Sequence, residues 1–204
     1  MEKKIKILAV GDIHADTGLA KKLAEKAKKE NVDLVILAGD ITWLDQSFQG
    51  IIGPFVKAKK EVLLIPGNNE PNSTINLLAE IYPKTKNIHG YPHKRGDLGI
   101  FGAGYDSTVG PFWIEDEEIF RILKKSHDKI KDAKKKIMVT HALPAGSKAE
   151  IIENSGSKAV RKAIIEFKPD VAISAHVHEA GGIEEKIGKT KVINVAKKPK
   201  IFEI

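Results

Sequence analysis

Apolar residues along this chain come in short dense runs, separated by segments whose apolar positions recur at helical spacing. Residues 5–10, 34–38, 62–65, 98–101, 137–139 and 171–174 are compact aliphatic runs that read as buried strands, and another short strand is expected near Ile88. Asp16 or Thr17 can cap a helix running to about Lys29, with Leu19, Leu23 and Ala27 four residues apart. Further helices are predicted over residues 48–59, 73–81, 115–130 and 157–167. The helix over 115–130 crowds acids into its first turn and lysines into its second half, as the helix dipole favours. Ile119, Ile122, Leu123 and Ile130 supply its buried stripe. Residues 102–113, rich in Gly and aromatics, read as a loop, as does the stretch from 140 to 155. Residues 182–204 read as two or three antiparallel strands turning at Gly188 and near Pro199.

Strands that alternate with helices argue an α/β fold, but the strand-rich tail departs from a simple parallel sheet. Two sheets packed face to face with helices outside accommodate both features. With 204 residues and no repeat, low-complexity tract or linker, the expectation is one domain over 1–204.

Composition narrows the chemistry. Hydrophobic and charged fractions of 42% and 30% are those of a globular protein, so disorder is excluded as the organising principle. Cysteine is absent, which removes disulfides, thiolate metal sites and a Cys nucleophile. The apolar run after the basic start stops at Gly11-Asp12, too short for a secretory segment, and no stretch approaches the ~20 residues of a membrane span. A cytoplasmic protein is expected. The net charge of +7 favours anionic partners by steering. Most of the lysines, however, lie on predicted helices and turns mixed with Glu, as in Lys28-Lys29-Glu30, and read as solvated faces. Nucleic acid is a possible partner that the charge does not by itself indicate.

The residues that carry chemistry follow the apolar runs. Asp12-Ile13-His14, Gly39-Asp40, Gly67-Asn68-Asn69-Glu70, Thr140-His141 and His176-Val177-His178 each come just after a predicted strand. All five patches should therefore meet at one edge of the fold. Two carboxylates, an amide oxygen and four imidazoles suit two divalent cations of intermediate softness. Asp40 can offer one oxygen to each of two ions held about 3.5–4 Å apart.

This ordered set resembles the calcineurin-like metallophosphoesterases, over a span from residue 12 to residue 178. The resemblance implies a four-layer α-β-β-α sandwich, two mixed β-sheets flanked by helices. It implies that Asp12, His14 and His178 hold one metal, that Asn68, His141 and His176 hold the other, and that Asp40 bridges them. Manganese is the foremost candidate, with iron, zinc, cobalt or nickel also suited to such sites. The implied activity is phosphate-ester hydrolysis by a hydroxide whose pKa the cations lower.

Three departures from the family pattern matter. Asn69 stands where a His that protonates the leaving oxygen, or stabilises the phosphoryl charge, is usual. An amide donates a hydrogen bond but delivers no proton at neutral pH. Asn69 is thus a catalytic and substrate-contacting candidate suited to activated esters, and a phosphodiesterase is expected over a monoesterase. Ala175 replaces the Gly of the usual Gly-His-x-His. After Asn194 the chain reads Val195-Ala196-Lys197-Lys198, where many relatives have Pro-Gly-Ser, so an altered final turn is expected.

Trp43, three residues past Asp40, is a candidate to stack on a base or aryl group of a nucleotide-like substrate. Tyr105, Phe112 and Trp113 are candidates for the rim of the cleft. His89 and His93 are weaker candidates for a replacement acid, and His127 reads as an edge-of-core residue. Two other functions fit the same residues: a nuclease of the same family, and a metal-binding scaffold for protein interaction. Against the nuclease, the chain has no room for a capping domain and does not interleave its lysines with aromatics. Against the scaffold, all seven apparent ligands are present.

Overall fold

The computed structural model describes residues 4–204. The apolar runs form two stacked sheets. The first holds β1 (Lys6–Val10), β2 (Leu34–Ala38), β3 (Glu61–Ile65), β4 (Thr85–Asn87) and β11 (Lys200–Glu203). Their spatial order is β11-β1-β2-β3-β4, and β11 is its antiparallel member. The second sheet holds β5 (His93–Arg95), β6 (Leu98–Ala103), β7 (Lys135–Thr140), β8 (Val171–Ser174), β9 (Glu184–Ile187) and β10 (Thr190–Asn194). It runs β5-β6-β7-β8-β10-β9, with the two edge strands antiparallel.

Strand alternation sorts the aliphatics into three apolar layers. Ile7, Ala9, Leu34, Ile36, Ile137, Val139 and Ile173 fill the space between the sheets. Leu8, Val10, Val35 and Leu37 face outward against α1 (Thr17–Lys29), α2 (Gly53–Lys57) and α3 (Asn72–Ile81). Phe101, Met138, Ala172 and Val192 face the opposite way, against α4 (Asp116–His127) and α5 (Lys158–Phe167). Strands covered on both faces need apolar residues at every position, which is why their runs are unbroken. The result is the four-layer α-β-β-α sandwich. No helix of the described residues is long and apolar enough to cross a membrane.

Local chemistry sets the helix starts. The Asp16 carboxylate accepts from Leu19 N at 2.8 Å and caps α1, and the Ser157 hydroxyl accepts from Val160 N at 3.0 Å and caps α5. The helix expected over 48–59 shortens to α2. Gly50 takes φ +75°, Pro54 occupies the first turn, and Lys59 is left-handed at φ 59°, so neither flank can continue the helix. Strand β5 departs from the sequence reading, since His93-Lys94-Arg95 carries no strand pattern. It forms by pairing back onto β6. The tail also differs from expectation. β9 and β10 form the hairpin at Gly188, but β11 leaves β10, crosses to the first sheet and pairs with β1. That crossing leaves the carboxyl ends of β1 and β10 side by side, with Gly11 bridged to Ala196.

Candidate metal centre

The five patches lie just past the carboxyl ends of β1, β2, β3, β7 and β8, which is where open parallel sheets bind ligands. Pairing of β1 with β2 continues beyond both strands: Asp12 N donates to Gly39 O at 3.0 Å and His14 N to Asp40 O at 2.9 Å. The chain manages this only by turning left-handed. Asp12, His14, Asp40 and His176 have φ of 58°, 48°, 50° and 73°. For residues with a Cβ this costs roughly 1–2 kcal/mol each. Two glycines allow the close approach. A Cβ on Gly67 would lie 2.0 Å from Asp40 Oδ1, and one on Gly11 would lie 2.4 Å from Ala175 Cβ. The Ala175 departure is thus accommodated by the glycine opposite it.

The ligand candidates gather into two groups. In the first, His14 Nε2 is 3.1 Å from His178 Nε2, and Asp12 Oδ1 is 3.3 Å from His178 Nε2 and 3.9 Å from His14 Nε2. In the second, His141 Nε2 is 2.9 Å and His176 Nδ1 is 3.0 Å from Asn68 Oδ1, and the two ring nitrogens are 3.3 Å apart. Asp40 stands between them, its Oδ2 3.6 Å from His14 and its Oδ1 3.5 Å from His141.

These atoms suit cations. His141 Nδ1 donates to the Ala38 carbonyl at 2.9 Å, which leaves the Nε2 lone pair aimed at an amide oxygen. Two acceptors then face each other with His176 Nδ1 beside them, and a proton or a cation among the three relieves the repulsion. Asp12 Oδ1 is fully buried with no hydrogen-bond donor. The same demand appears in the pKa directions. Burial acts to lower the His141 imidazole, but Asp40 and Asp12 overcome it and hold the ring above its ordinary value. Contact with Asp12 likewise raises His178. Burial, followed by the neighbouring His141, lowers His176, and burial lowers His14. Asp12 sits below the ordinary carboxylate range, because burial, which would raise it, is outweighed by His178, His141 and His14.

A second layer of groups holds the first. Glu70, quoted in its motif but given no role from sequence, is completely buried. It accepts from Ile41 N, Thr42 N, Thr42 Oγ1 and Gly67 N at 2.8–3.2 Å, locking the Asp40 turn to the Asn68 turn. Burial, with Asp40 nearby, pushes its pKa up to about 7. Asn194 also faces inward. Its Nδ2 donates to Ala175 O and its Oδ1 accepts from Ala196 N, so both ends of the side chain support the His176 loop.

Asn69 amends the expectation of a substrate-facing amide. Its Nδ2 donates to Asp40 Oδ2 at 2.6 Å, its backbone N donates to Asp40 Oδ1 at 2.9 Å, and its Oδ1 accepts from Leu44 N. Both ends of the side chain are committed to the interior. Asp106 is a residue that the sequence reading passes over. It is buried, with Oδ2 3.9 Å from His176 Nε2. The rule that finds the others would also find it, for it follows the run ending in β6.

Of the rim candidates, Trp43 is 53% exposed and meets His14 edge-on at 5.0 Å between ring centres. Trp113 is exposed, while the Tyr105 hydroxyl is turned to accept from Asn72 N at the start of α3. Phe112 N donates to Asn68 O, which ties that loop to the second group. Neither replacement acid joins the cluster. His89 Nδ1 accepts from Gly104 N, and burial pushes its pKa down to about 4, so the ring is uncharged at neutral pH and no general acid. His93 faces Glu61 and Lys86 at the start of β3 and in β4. His127 stacks on Phe167 at 4.5 Å, as an edge-of-core residue should.

A family model described as calcineurin-like phosphoesterase matches residues 5–180, and the chain belongs to that family. Metal-dependent hydrolysis of phosphate esters is therefore its activity class. Among solved structures it is similar to TT1561 of Thermus thermophilus, with TM-score 0.78 and 18% identity, covering 95% of this chain and 90% of that one. It is similar to a dimetal phosphatase from Danio rerio, with TM-score 0.64 and 12% identity, covering 93% and 86%. It is also similar to GAP50, the anchor in the inner membrane complex of Plasmodium, with TM-score 0.60 and 14% identity, covering 96% and 72%. No curated protein matches the sequence.

Proposed function

We propose that this protein is a dinuclear phosphodiesterase, with manganese as its activating metal and activated, nucleotide-like or aryl diesters as substrates. The observation that carries the preference is the inward commitment of Asn69. With that amide bound to Asp40 and to Leu44 N, no proton donor from position 69 serves the leaving group. Esters whose leaving oxygen needs a proton should suffer most.

Asp12, His14 and His178 would hold one cation, Asn68, His141 and His176 the other, and Asp40 would serve both. Bound cations supply Lewis acidity toward a phosphoryl oxygen and lower the pKa of water toward neutrality. The protein's own part is to fix the donors. Glu70 ties two turns together, the Ala38 carbonyl sets the His141 tautomer, and Asn69 keeps Asp40 from rotating away. Trp43 presents an exposed ring beside the first group, suited to stack on a base or aryl substituent. Lys197, whose charge works against protonation of His14 and His178, favours an anionic ligand on that side.

The test is to assay metal-stripped protein on an aryl phosphodiester and the matching monoester, with and without manganese. Manganese-dependent turnover of the diester well above the monoester is expected. Preference for the monoester would sink the diesterase assignment, and no turnover with any divalent metal would turn attention to a binding role.

A further inference from the structure

We propose that Asp106 is a positioning residue for the second cation, acting through His176 by fixing which of its ring nitrogens carries the proton. The inference rests on reading Asn68, His141 and His176 as a metal half-site. Three observations lead to it.

The Asp106 side chain is almost wholly buried, and its two oxygens are treated differently. Oδ1 accepts from Thr108 N at 2.7 Å and from the Thr108 hydroxyl. Oδ2 has no hydrogen-bond partner, and among the described residues no lysine or arginine pairs with this carboxylate. A buried carboxylate oxygen without a donor is costly. The group it faces is His176 Nε2, at 3.9 Å. That is longer than a hydrogen bond, and a ring movement of about 1 Å closes it.

The other nitrogen of the same ring, Nδ1, faces Asn68 Oδ1 at 3.0 Å and His141 Nε2 at 3.3 Å. A neutral imidazole has one donor and one acceptor nitrogen. With Nε2–H directed at Asp106, Nδ1 must present its lone pair to the half-site. With the opposite tautomer, Nδ1–H would occupy the position a cation needs. A partner on the far nitrogen of a ligating imidazole is the ordinary way of settling this choice.

The geometry predicts an unusual order of effects. Asp106→Asn keeps the shape, and Thr108 N will still require an acceptor, so the new amide oxygen goes there and its NH2 faces His176. Nε2 must then accept, and Nδ1 takes the proton. Asp106→Ala removes the preference without reversing it. Asparagine, the more conservative change, should therefore damage the half-site more than alanine. A carboxylate that merely supports its loop through Thr108 would give the reverse order.

The experiment is calorimetric titration of the full metal-free chain with Mn²⁺, for wild type and both variants. Long-range proton–nitrogen NMR of the His176 ring at pH 8 accompanies it. In Asp106→Asn one of the two Mn²⁺ sites should lose about 10–100-fold in affinity. The other site should change by less than about twofold, and the ring should switch from Nε2–H to Nδ1–H. The Asp106→Ala loss should be smaller. Equal weakening of both sites, alanine worse than asparagine, an unchanged tautomer, or a wild type that binds one Mn²⁺ would each overturn the proposal. Two-site binding without hydrolysis would sink the phosphodiesterase assignment and leave this inference standing. Hydrolysis with an unchanged second site in Asp106→Asn would do the opposite.

Discussion

Both ends of the stacked strands carry a knot of charged and histidine side chains that spans the two sheets, yet the two knots are built on opposite plans. At the amino end, Glu61 of β3 meets Arg95 of β5 at 3.2 Å, His93 of β5 at 3.3 Å and Lys86 of β4 at 3.4 Å. Asp33 adds a further contact to Arg95 at 3.7 Å. Each acid there has a basic neighbour on the protein itself. A surface cavity of about 630 Å³ opens beside this knot, lined by Lys4, Asp33, Arg95 and Lys135 among others. At the carboxyl end, Asp12, Asp40, Asn68 and four imidazoles face one another at 2.9–3.9 Å with no lysine or arginine among them. This cavity therefore sits at the end without the chemistry. A cluster of this kind is recognised as a site by the positive charge it lacks, more than by its volume or its count of titratable groups.

Substitutions can break this contrast, beginning with the largest expected effect. His141→Ala should lower manganese-dependent diester turnover by more than about 100-fold, since loss even of an outer partner of a ligand costs 10–100-fold. A residual rate above a tenth of wild type would remove His141 from the ligand set. Glu70→Ala leaves four donors at the Asp40 and Asn68 turns without their acceptor. Urea denaturation should show a loss of about 3 kcal/mol or more, and a loss below about 1 kcal/mol would mean that water replaces the carboxylate freely.

His89, just past the carboxyl end of β4 but outside the cluster, sharpens the contrast through pH. Its folded pKa of about 4 is below the ordinary 6.5, so the unfolded chain binds the extra proton between those values. Stability is then complete above about pH 6.5 and falls as pH drops toward 4, by up to about 3 kcal/mol. His89→Asn can keep the bond from Gly104 N and should flatten that slope in denaturant titrations. An unchanged slope would assign the pH dependence to other groups.

Asn69→His would restore a proton donor near the leaving group and raise monoester turnover about 10-fold or more relative to diester. No shift in that ratio would show that the acid is not what limits the monoester. The smallest effect is expected at the amino end. Glu61→Gln should cost about 1 kcal/mol of stability and leave turnover within a factor of two. A large loss of activity there would mean that the two ends communicate.

Much of this is readable in the sequence, and the reasons are physical. Strands buried on both faces leave unbroken aliphatic runs, so β1, β2, β3, β7 and β8 announce themselves, and with them the positions of the patches that follow. Edge strands do not. β5 reads His93-Lys94-Arg95 and exists only because β6 offers a partner. The route of β11 is hidden because Ile201 and Phe202 would satisfy either sheet, and only tertiary packing selects β1. In the site, the motifs give the residue set but not the hydrogen bonds among its members. Asn69 reads as a substrate contact until Asp40 and Leu44 are seen to occupy both ends of its side chain. Asp106 is easily overlooked because aromatics dominate its loop, although its place after β6 matches the pattern of the others.

The left-handed backbone at Asp12, His14, Asp40 and His176 carries a further implication for how this chain can change over generations. Glycine would rest more comfortably at each of those positions than the residue that occupies it. Under selection for heat resistance alone, with no demand for turnover, the population would drift toward glycine there while Ile36 and Val139 stayed fixed. Thermal hardening and loss of the enzyme would then be the same event, written into the same four codons.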